Sequence, residues 1–368
     1  MRIAAELRAR LLVGTAMLAS SLLVYLLFLR EFDQVLRFWD GPHYLYLAKT
    51  LYAVPDAHPF TPYGLPPGYF ASHLPLYPLL IRLLALPLLG DYRAAMIVAT
   101  LATAVGSALL FHQLLREYEA VASATWTALW FCFVPTRWLL YHSAGATEPL
   151  FFCCLFAALI ALRRGRPGWV ACFVSLATLT RISGVLLVGG FALAYLLRRD
   201  WRRAALMVFG LAGIGVVFLF HQLQYGDFLA YARWNIEDQG IVATFPLAGL
   251  ARALAAGNAR GADLYIGTQL VYGVGLLALW RKQRDLFAVS LAVYGFLLFV
   301  VHRDVTRYYL AIAPFALLVG YDAVLAQRAS RAALVLAAGL AYLYAWIFLP
   351  RNGVSRPVYE ELLRVLQQ

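Results

Sequence analysis

Residues 11–44 carry the sequence LLVGTAMLASSLLVYLLFLREFDQVLRFWDGPHY, in which a long apolar run is followed by a short polar interval. The run, residues 11–29, matches the roughly 20 apolar residues that a helix needs to cross a bilayer. Basic residues precede it, including Arg8 and Arg10, as they would precede a signal peptide. No convincing small-residue cleavage site lies before Arg30. We therefore predict a retained first membrane span.

The whole chain is too apolar for a soluble protein. Its 368 residues are 62% hydrophobic and only 14% charged, with a mean hydropathy of +0.71. Because uninterrupted apolar runs recur without alternation, they predict helices rather than strands. We expect an all-α polytopic membrane protein with about 10–11 transmembrane helices in a single domain, residues 1–368. The predicted helical runs are approximately 10–29, 94–115, 120–139, 147–162, 168–180, 183–198, 204–223, 262–280, 284–301, 308–326 and 332–349.

Most of the net charge of +12 lies in short basic clusters between apolar runs, such as residues 163–166, 198–203 and 281–284. By the positive-inside rule these connections are cytoplasmic. The remaining connections are then extracytoplasmic, and the two long ones are residues 30–93 and 224–261. Because the basic residues occur where they set membrane orientation, the charge does not indicate a nucleic-acid partner.

Residues 74–90 are apolar, but they are short, contain three prolines and carry Arg82 in their middle. A full crossing there would place the basic cluster at 163–166 on the wrong side of the membrane. We therefore expect a juxtamembrane or re-entrant helix in the first extracytoplasmic loop.

The run between the basic clusters at 163–166 and 198–203 is interrupted by the sequence TRISG at 180–184. Two short helices would place Arg181 at an outer tip. An arginine within apolar sequence is costly unless it is paired or faces water. Arg181 is therefore a candidate contact for a lipid phosphate, and the alternative is a structural ion pair.

The polar interval after the first run contains Trp39-Asp40, which on residue types alone suits either an interfacial helix cap or a catalytic acid. An amphipathic stretch from Tyr44, a proline-rich loop and the sequence HLPLYPL at 73–79 follow it. This order resembles the GT-C superfamily of polyprenyl-phosphate-sugar-dependent glycosyltransferases, and within it the PIG-V-type mannosyltransferases. The resemblance implies a GT-C type helical bundle whose first outer loop contains juxtamembrane helices.

Three later segments extend the resemblance. SAGATEPLF at 143–151 is similar to the family's Ser/Tyr-Ser-Glu-Ser-Leu-Phe segment, LTRISGV at 179–185 to its Thr-Arg-x-x-Gly element, and YGDFLAY at 225–231 to its Gly-Asp-Pro-x-Ala-Phe element. The sequence departs from the pattern on both sides of Glu148 and at Phe228. The match covers roughly the first 240 residues, and the last third matches mainly by hydropathy.

The resemblance implies an inverting transfer of a hexose, with mannose as the first candidate, in which Asp40 acts as general base. An acceptor hydroxyl is a poor nucleophile until a positioned carboxylate takes its proton, and a single base without a covalent partner suits inversion. Because no Asp-x-Asp spacing occurs, we expect no metal and no other cofactor.

The remaining candidates are substrate-binding residues, and each has a structural alternative. Glu148 could instead complement a helix dipole, and His73 could cap the helix that begins near Pro75. Asp304 could pair with Arg303 or Arg307 in an interfacial loop. The full predicted set is Trp39, His43, His73, Glu148, Arg181, Trp234, Arg303 and Arg307.

The expected partners are membrane lipids, a polyprenyl-phosphate-sugar donor, and a glycan, glycolipid or protein acceptor. The composition favours a bacterial plasma (inner) membrane, with the active site on the extracytoplasmic face. Two other functions are compatible with many spans and few polar groups: a transporter or lipid flippase, and a GT-C-like subunit that has lost catalysis. A transporter would be expected to have polar groups near the bilayer midplane and repeated halves, whereas here polar tips gather on one face and no repeat is evident.

Overall fold

The computed structural model describes the backbone of residues 2–238, 240–302 and 304–368 and the side chains of residues 4–236, 240–302 and 304–368. In these ranges the chain is helical, with two isolated antiparallel bridges and no β-strand. The α-helices are α1 (Arg2–Tyr25), α2 (Asp33–Leu36), α3 (Gly41–Thr50), α4 (Leu76–Ala85), α5 (Tyr92–Tyr118), α6 (Ala124–Phe131), α7 (Trp138–Tyr141), α8 (Glu148–Arg163), α9 (Pro167–Thr178), α10 (Ser183–Leu197), α11 (Trp201–Leu206), α12 (Ala212–Tyr225), α13 (Ala230–Ala232), α14 (Ala248–Ala255), α15 (Ala259–Lys282), α16 (Arg284–Leu297), α17 (Val305–Tyr308), α18 (Asp322–Leu325), α19 (Ser330–Arg351) and α20 (Arg356–Gln367).

Five helical stretches of the described chain are long and apolar enough to cross a membrane. Their surfaces expose large aliphatic side chains such as Leu223 (80% exposed) and Val335 (74% exposed), which are stable against lipid tails but not against water. The prediction of an all-α polytopic membrane protein is thereby confirmed. The count of about 10–11 crossings, which includes shorter helices, stays a prediction. The five stretches are Ala4–Phe28, Tyr92–Tyr118, Trp201–Tyr225, Ala259–Lys282 and Ser330–Arg351.

Helices α9 and α10 form the expected hairpin of short helices. They contain 12 and 15 residues, or about 18 and 23 Å at 1.5 Å per residue, less than the roughly 30 Å of a hydrocarbon core. The break between them places Arg181 at the tip of the hairpin. This arrangement agrees with the interruption at residues 180–184.

Helix α8 is the central helix, and it packs against α5 and α9. Its first residue, Glu148, and eleven of the fifteen residues that follow are buried. At its other end Arg164 pairs with Glu117 at 2.5 Å. The basic cluster at 163–166 and the buried acid therefore lie at opposite ends of one helix, as the charge pattern predicts.

Helix α4 covers only part of the segment at 74–90 and is 10 residues long, about 15 Å. Such a helix is too short to cross a bilayer, in agreement with the juxtamembrane expectation. Arg82 Nη1 donates to the backbone oxygens of Ala48 (2.9 Å) and Lys49 (2.8 Å). It satisfies free carbonyl groups near the end of α3, which explains an arginine within an apolar segment.

Two predicted helical runs are broken in the structure. The run at 120–139 forms only α6 and the short α7, because Pro135 removes a backbone donor between them. The run at 308–326 consists of short 3-10, π and α segments, including the π-helix Pro314–Val319. The amphipathic C-terminal helix α20 was not among the predicted runs. It packs on α3 through Val358, Tyr359 and Leu362.

Candidate active site

Asp40 lies between α2 and α3, where the chain turns out of the first span. It occupies the position before α3, but its side chain makes no capping hydrogen bond to that helix. Instead, Asp40 Oδ2 accepts a hydrogen bond from Arg307 Nη1 at 3.0 Å. The Asp40 side chain therefore pairs with Arg307 and does not cap α3, contrary to the interfacial-cap alternative.

Arg307 joins this carboxylate to a second one. Its Nε donates to Glu148 Oε1 at 2.7 Å, and the same oxygen lies 2.6 Å from Arg181 Nη1. Arg181 also donates to Thr147 Oγ1 at 3.1 Å. We call Asp40, Arg307, Glu148 and Arg181 the four-residue network.

The four-residue network joins the segment between α2 and α3, the start of α8, the tip of the α9–α10 hairpin and α17. Its side chains are 25%, 12%, 3% and 18% exposed, in the order Asp40, Arg307, Glu148, Arg181. Two carboxylates and two guanidinium groups balance formally, which is the condition for keeping charges away from water. Glu148 Oε2 is buried and has no hydrogen-bond partner among the described residues, and Glu148 itself lines neither of the two cavities described below.

The pKa of Asp40 reflects two opposing effects. Burial is the largest single effect and would raise it, but Arg307, together with His73 and His43, more than offsets burial and holds the pKa below its usual value. Asp40 is therefore ionised near neutral pH. The guanidinium also lies over the ring of Tyr141, 4.7 Å from its centroid, which adds a cation–π contact beneath the network.

His43 and His73 lie beside Asp40. Their ring centroids are 5.0 Å apart and both side chains are buried. Burial lowers the pKa of His43 to about 3 and that of His73 to about 4, so both imidazoles are neutral near pH 7. Among the described residues, neither ring nitrogen of His43 has a hydrogen-bond partner. A neutral buried imidazole without partners is a candidate group for a substrate hydroxyl.

His73 does not cap α4, contrary to the structural alternative that we considered. The residue before α4 is Pro75, and no side chain caps this helix. His73 Nδ1 instead lies 3.0 Å from Ser72 Oγ, and its ring faces the cavity beside Asp40.

Asp40, His43 and His73 are also the described residues that could hold a metal ion. Each offers one ligand atom, and these atoms lie within 4.8 Å of one another. Arg307 already brings a positive charge to the same carboxylate. A divalent cation would therefore have to compete with the guanidinium for Asp40.

Two cavities meet at the four-residue network. The first, about 600 Å³, is polar and aromatic, and its walls include Trp39, Tyr63, Tyr69, His73 and Asn352. The second, about 340 Å³, is mostly apolar and extends between α10 and α16. The residues that line both cavities are Asp40, Tyr44, Ser72, Asn235, Ile241, Arg307 and Tyr308.

Of the two cavities, Arg181 lines the apolar one. Its neighbours in the wall of that cavity include Leu186, Phe296 and Leu297. Together with Asp40 and Arg307, Arg181 gives this mostly apolar cavity a charged end. Because Arg181 also pairs with Glu148, both of its alternatives, phosphate contact and structural ion pair, remain compatible with its position.

The remaining predicted residues lie outside the four-residue network. Trp234 packs edge-on against Tyr69, with centroids 5.9 Å apart, and is absent from the described walls of both cavities. Arg303 lies outside the described residues. Asp304 pairs with Arg137, so the alternative in which Asp304 pairs with Arg307 is wrong.

Several residues at the site were not predicted. Tyr69, Asn235 and Tyr308 line the first cavity, and the backbone at 352–354 forms one of its walls. Asn235 lies in the connection at 224–261, next to the predicted Trp234. Nothing in the sequence signals the wall at 352–354, because it is built from main-chain contacts.

Comparison with known proteins agrees with this architecture. The sequence profile of glycosyltransferase family 87 matches residues 76–302, which is more than half of the chain. No curated protein matches the sequence significantly.

Similar solved structures include ArnT from Cupriavidus metallidurans bound to undecaprenyl phosphate, with a TM-score of 0.53, 15% identity, and coverage of 95% of this chain and 74% of that chain. The Archaeoglobus fulgidus oligosaccharyltransferase is similar in its apo form (TM-score 0.54, 15% identity, coverage 94% and 57%) and in complex with Zn and sulfate (0.51, 17%, 93% and 54%). This chain spans little more than half the length of that oligosaccharyltransferase. At such identities the likeness shows a shared fold.

The prediction of a GT-C superfamily protein is confirmed by the matching family and by the fold of these structures. The closer resemblance to PIG-V-type mannosyltransferases stays a prediction. The profile match contains Glu148 and Arg181 of the four-residue network. With most of the chain matched by one family and the fold in agreement, this integral membrane protein belongs to glycosyltransferase family 87.

Proposed function

We propose that this protein transfers a hexose, with mannose as the first candidate, from a polyprenyl-phosphate-linked donor to an extracytoplasmic acceptor. The proposed reaction proceeds with inversion and uses Asp40 as general base. The observation that carries the proposal is that a polar and an apolar cavity meet at one carboxylate and one guanidinium, Asp40 and Arg307. Such a junction suits a reaction between one polar and one lipidic substrate.

The apolar cavity suits the donor. Polyprenyl tails are hydrocarbon, and the cavity is walled by aliphatic and aromatic side chains between α10 and α16. Arg181 stands at its polar end and can bind a phosphate through several N–H groups. The similar ArnT structure contains undecaprenyl phosphate, which supports a donor of this class.

The polar cavity suits the acceptor. The rings of Tyr63, Tyr69 and Tyr308 offer surfaces on which a sugar can stack, and Asp40 lies at the inner end. A glycan, a glycolipid headgroup or a protein side chain could each present a hydroxyl there. His43 lines this cavity, and its ring nitrogens, which have no hydrogen-bond partner among the described residues, can orient hydroxyl groups.

The step is a single displacement at the anomeric carbon. The acceptor hydroxyl gives its proton to Asp40, its oxygen forms the new glycosidic bond, and the bond from the anomeric carbon to the phosphate oxygen breaks. The electron pair leaves with the polyprenyl phosphate. Arg181 and Arg307 stabilise the negative charge that develops on this leaving group.

The pairing of Asp40 with Arg307 gives the network a second role. In the resting protein the guanidinium keeps Asp40 ionised. A bound phosphate attracts the same guanidinium and weakens its hold on Asp40, which makes the carboxylate a better base. Binding of the donor would thus prepare the base for the acceptor.

The proposal also assigns the active site to one side of the membrane. We place the four-residue network at the extracytoplasmic face of a bacterial plasma (inner) membrane, because the basic clusters lie at the other ends of the helices that carry it. No metal ion is included, since Arg307 and Arg181 supply the positive charge at the phosphate.

The experiment that tests the proposal uses the purified protein in nanodiscs. It is supplied with a panel of polyprenyl-phosphate sugars and a mixture of candidate acceptors, and the release of polyprenyl phosphate is measured. We expect release from the mannose donor. No release from any donor would contradict the proposal and would favour the transporter or the inactive subunit.

A further inference from the structure

The chain that leaves α19 returns to the segment that carries Asp40. We call residues 352–354 the C-terminal strap. Phe38 and Gly353 form an antiparallel bridge. Trp39 N donates to the backbone oxygen of Asn352 at 2.9 Å, and Val354 N donates to the backbone oxygen of Arg37 at 2.9 Å. The strap therefore pairs with the three residues that immediately precede Asp40.

The side chain of Arg37 reinforces this pairing. Its Nε and Nη2 donate to the backbone oxygen of Val354 at 2.8 and 2.5 Å. Gly353 fits the same close approach, because a Cβ atom there would lie 3.2 Å from the backbone oxygen of Arg37. Arg37 is thus committed to the strap rather than to the four-residue network.

Trp39 has a backbone conformation that needs such support. Its φ of 49° lies in the left-handed region, which is unfavourable for a residue with a side chain. The strap uses its N–H, and its ring stacks on Phe348 of α19 with centroids 6.3 Å apart. The next residue is Asp40, so the conformation of Trp39 fixes the direction in which that carboxylate points.

The strap is held from its other side as well. Ser355 N donates to Tyr63 Oη at 2.6 Å, and α20 then buries Val358, Tyr359 and Leu362 against the first outer loop. These contacts connect the end of the chain to the wall of the polar cavity. Within the described residues the strap lines that cavity and takes no part in lining the apolar one.

We propose that the C-terminal strap and Arg37 are positioning elements for Asp40, and that they act on the acceptor side of the site. The inference rests on the proposed function, since it assumes that Asp40 is the base. The strap fixes Trp39 in its left-handed conformation and thereby directs Asp40 towards the acceptor hydroxyl. Donor binding in the apolar cavity does not depend on it.

The test compares Arg37→Ala and Arg37→Lys with the parent protein in nanodiscs. Arg37→Ala removes both hydrogen bonds to Val354, and we expect kcat to fall by roughly tenfold or more, because small displacements of a catalytic group are costly. The Kd for polyprenyl phosphate and the melting temperature should change little. Arg37→Lys retains one donor and should recover part of kcat.

Gly353→Ala provides a second perturbation that leaves Arg37 unchanged. Its Cβ would crowd the carbonyl of Arg37, so we expect the same split between kcat and donor binding. Arg356→Ala is the matched control, because Arg356 is 82% exposed and pairs only with Glu360 among the described residues. The control should retain parent activity.

Each result decides the proposal. Unchanged kcat in Arg37→Ala and Gly353→Ala would overturn it, and so would a parallel loss of kcat, donor binding and thermal stability that Lys does not rescue. Asp40→Asn, measured in parallel, separates a failure of the strap inference from a failure of the proposal that Asp40 is the base. If Asp40→Asn abolishes transfer while the strap variants retain it, the strap inference alone fails. Full activity of Asp40→Asn would overturn both the base and its positioning.

Discussion

Arg307 donates to Asp40 Oδ2 at 3.0 Å, so the proposed base is paired with a guanidinium before any substrate binds. The two residues are 267 positions apart in the sequence. The pairing links the segment between α2 and α3 to α17. It also means that the basicity of Asp40 is controlled by what else Arg307 contacts.

We expect Asp40→Asn to reduce transfer by a factor of about 10²–10⁴, which is the range for loss of general base catalysis. An amide keeps the shape of the side chain and can still accept a hydrogen bond from Arg307, so the protein should remain folded. The measurement is polyprenyl phosphate release at equal protein amounts. Asp33→Asn is the matched control, because Asp33 lies on the preceding helix, is 56% exposed and makes a long ion-pair contact of 3.9 Å to Arg93.

Arg307→Lys should leave a folded protein with little activity. A lysine keeps the positive charge but lacks the fork that reaches Asp40 and Glu148 together. Arg307→Ala should be worse, because it leaves buried carboxylates with fewer partners, at a cost of about 3–5 kcal/mol in the free energy of unfolding.

Thermal unfolding measures the loss of stability and the transfer assay measures the loss of activity. Together they separate these two effects of the Arg307 substitutions. Arg233→Lys is the control, because Arg233 is 58% exposed and pairs with Asp227 at 3.3 Å. Full activity in Arg307→Lys would show that the fork geometry has no role.

Arg181→Ala should act on the donor. Glu148 keeps Arg307 as a partner, so the network survives in part, but the apolar cavity loses one of the two guanidinium groups that line it. We expect the KM for the lipid donor to rise by about tenfold or more, equivalent to at least about 1.4 kcal/mol, close to the lower limit for a hydrogen bond to a charged group. The KM for the acceptor should change much less. A larger effect on the acceptor than on the donor would contradict the assignment of Arg181 to the phosphate.

Much of the site could be predicted from particular residues. Arg181 and Glu148 interrupt or begin apolar runs, and charges in such places need partners or water. The basic clusters predict which ends of the helices are cytoplasmic. The charged residues at the opposite ends are then expected on one face. That reasoning brought Asp40, Glu148, Arg181 and Arg307 to one face, and the structure joins them in one network.

The pairing within that face could not be predicted. Asp304 pairs with Arg137, which lies in a broken helical run, and not with its sequence neighbour Arg307. Which acid meets which base depends on how helices are displaced relative to each other, and hydropathy carries no information about that displacement. The C-terminal strap was missed for a related reason. Its contacts are made by backbone groups, which every residue except proline offers equally.

Acid should destabilise the protein partly through His43 and His73. Burial lowers the pKa of these residues to about 3 and about 4, whereas an exposed imidazole titrates near 6.5. The unfolded chain therefore takes up protons first, and the contribution to stability is complete above about pH 6.5 and falls as the pH decreases. Each group contributes at most about 1.4 kcal/mol per pH unit.

The measurement for this effect is the melting temperature in detergent between pH 8 and pH 5. His43→Asn should melt with a weaker pH dependence than the parent protein. Asp40 does not contribute in this window, because its pKa is below the usual value for a carboxyl group. An identical pH dependence in the parent and in His43→Asn would show that His43 is not buried in its neutral form.

Transfer should persist when divalent cations are removed. Asp40, His43 and His73 have the ligand atoms for a metal ion, but the ion would lie close to the Arg307 guanidinium. At about 4 Å and an effective dielectric constant of about 20, each pair of like unit charges costs about 4 kcal/mol. We therefore expect EDTA to leave the rate of polyprenyl phosphate release unchanged and manganese to give no increase. Activity that EDTA abolishes and manganese restores would reverse this conclusion, and loss of the manganese response in His43→Asn would then assign the ion to these three residues.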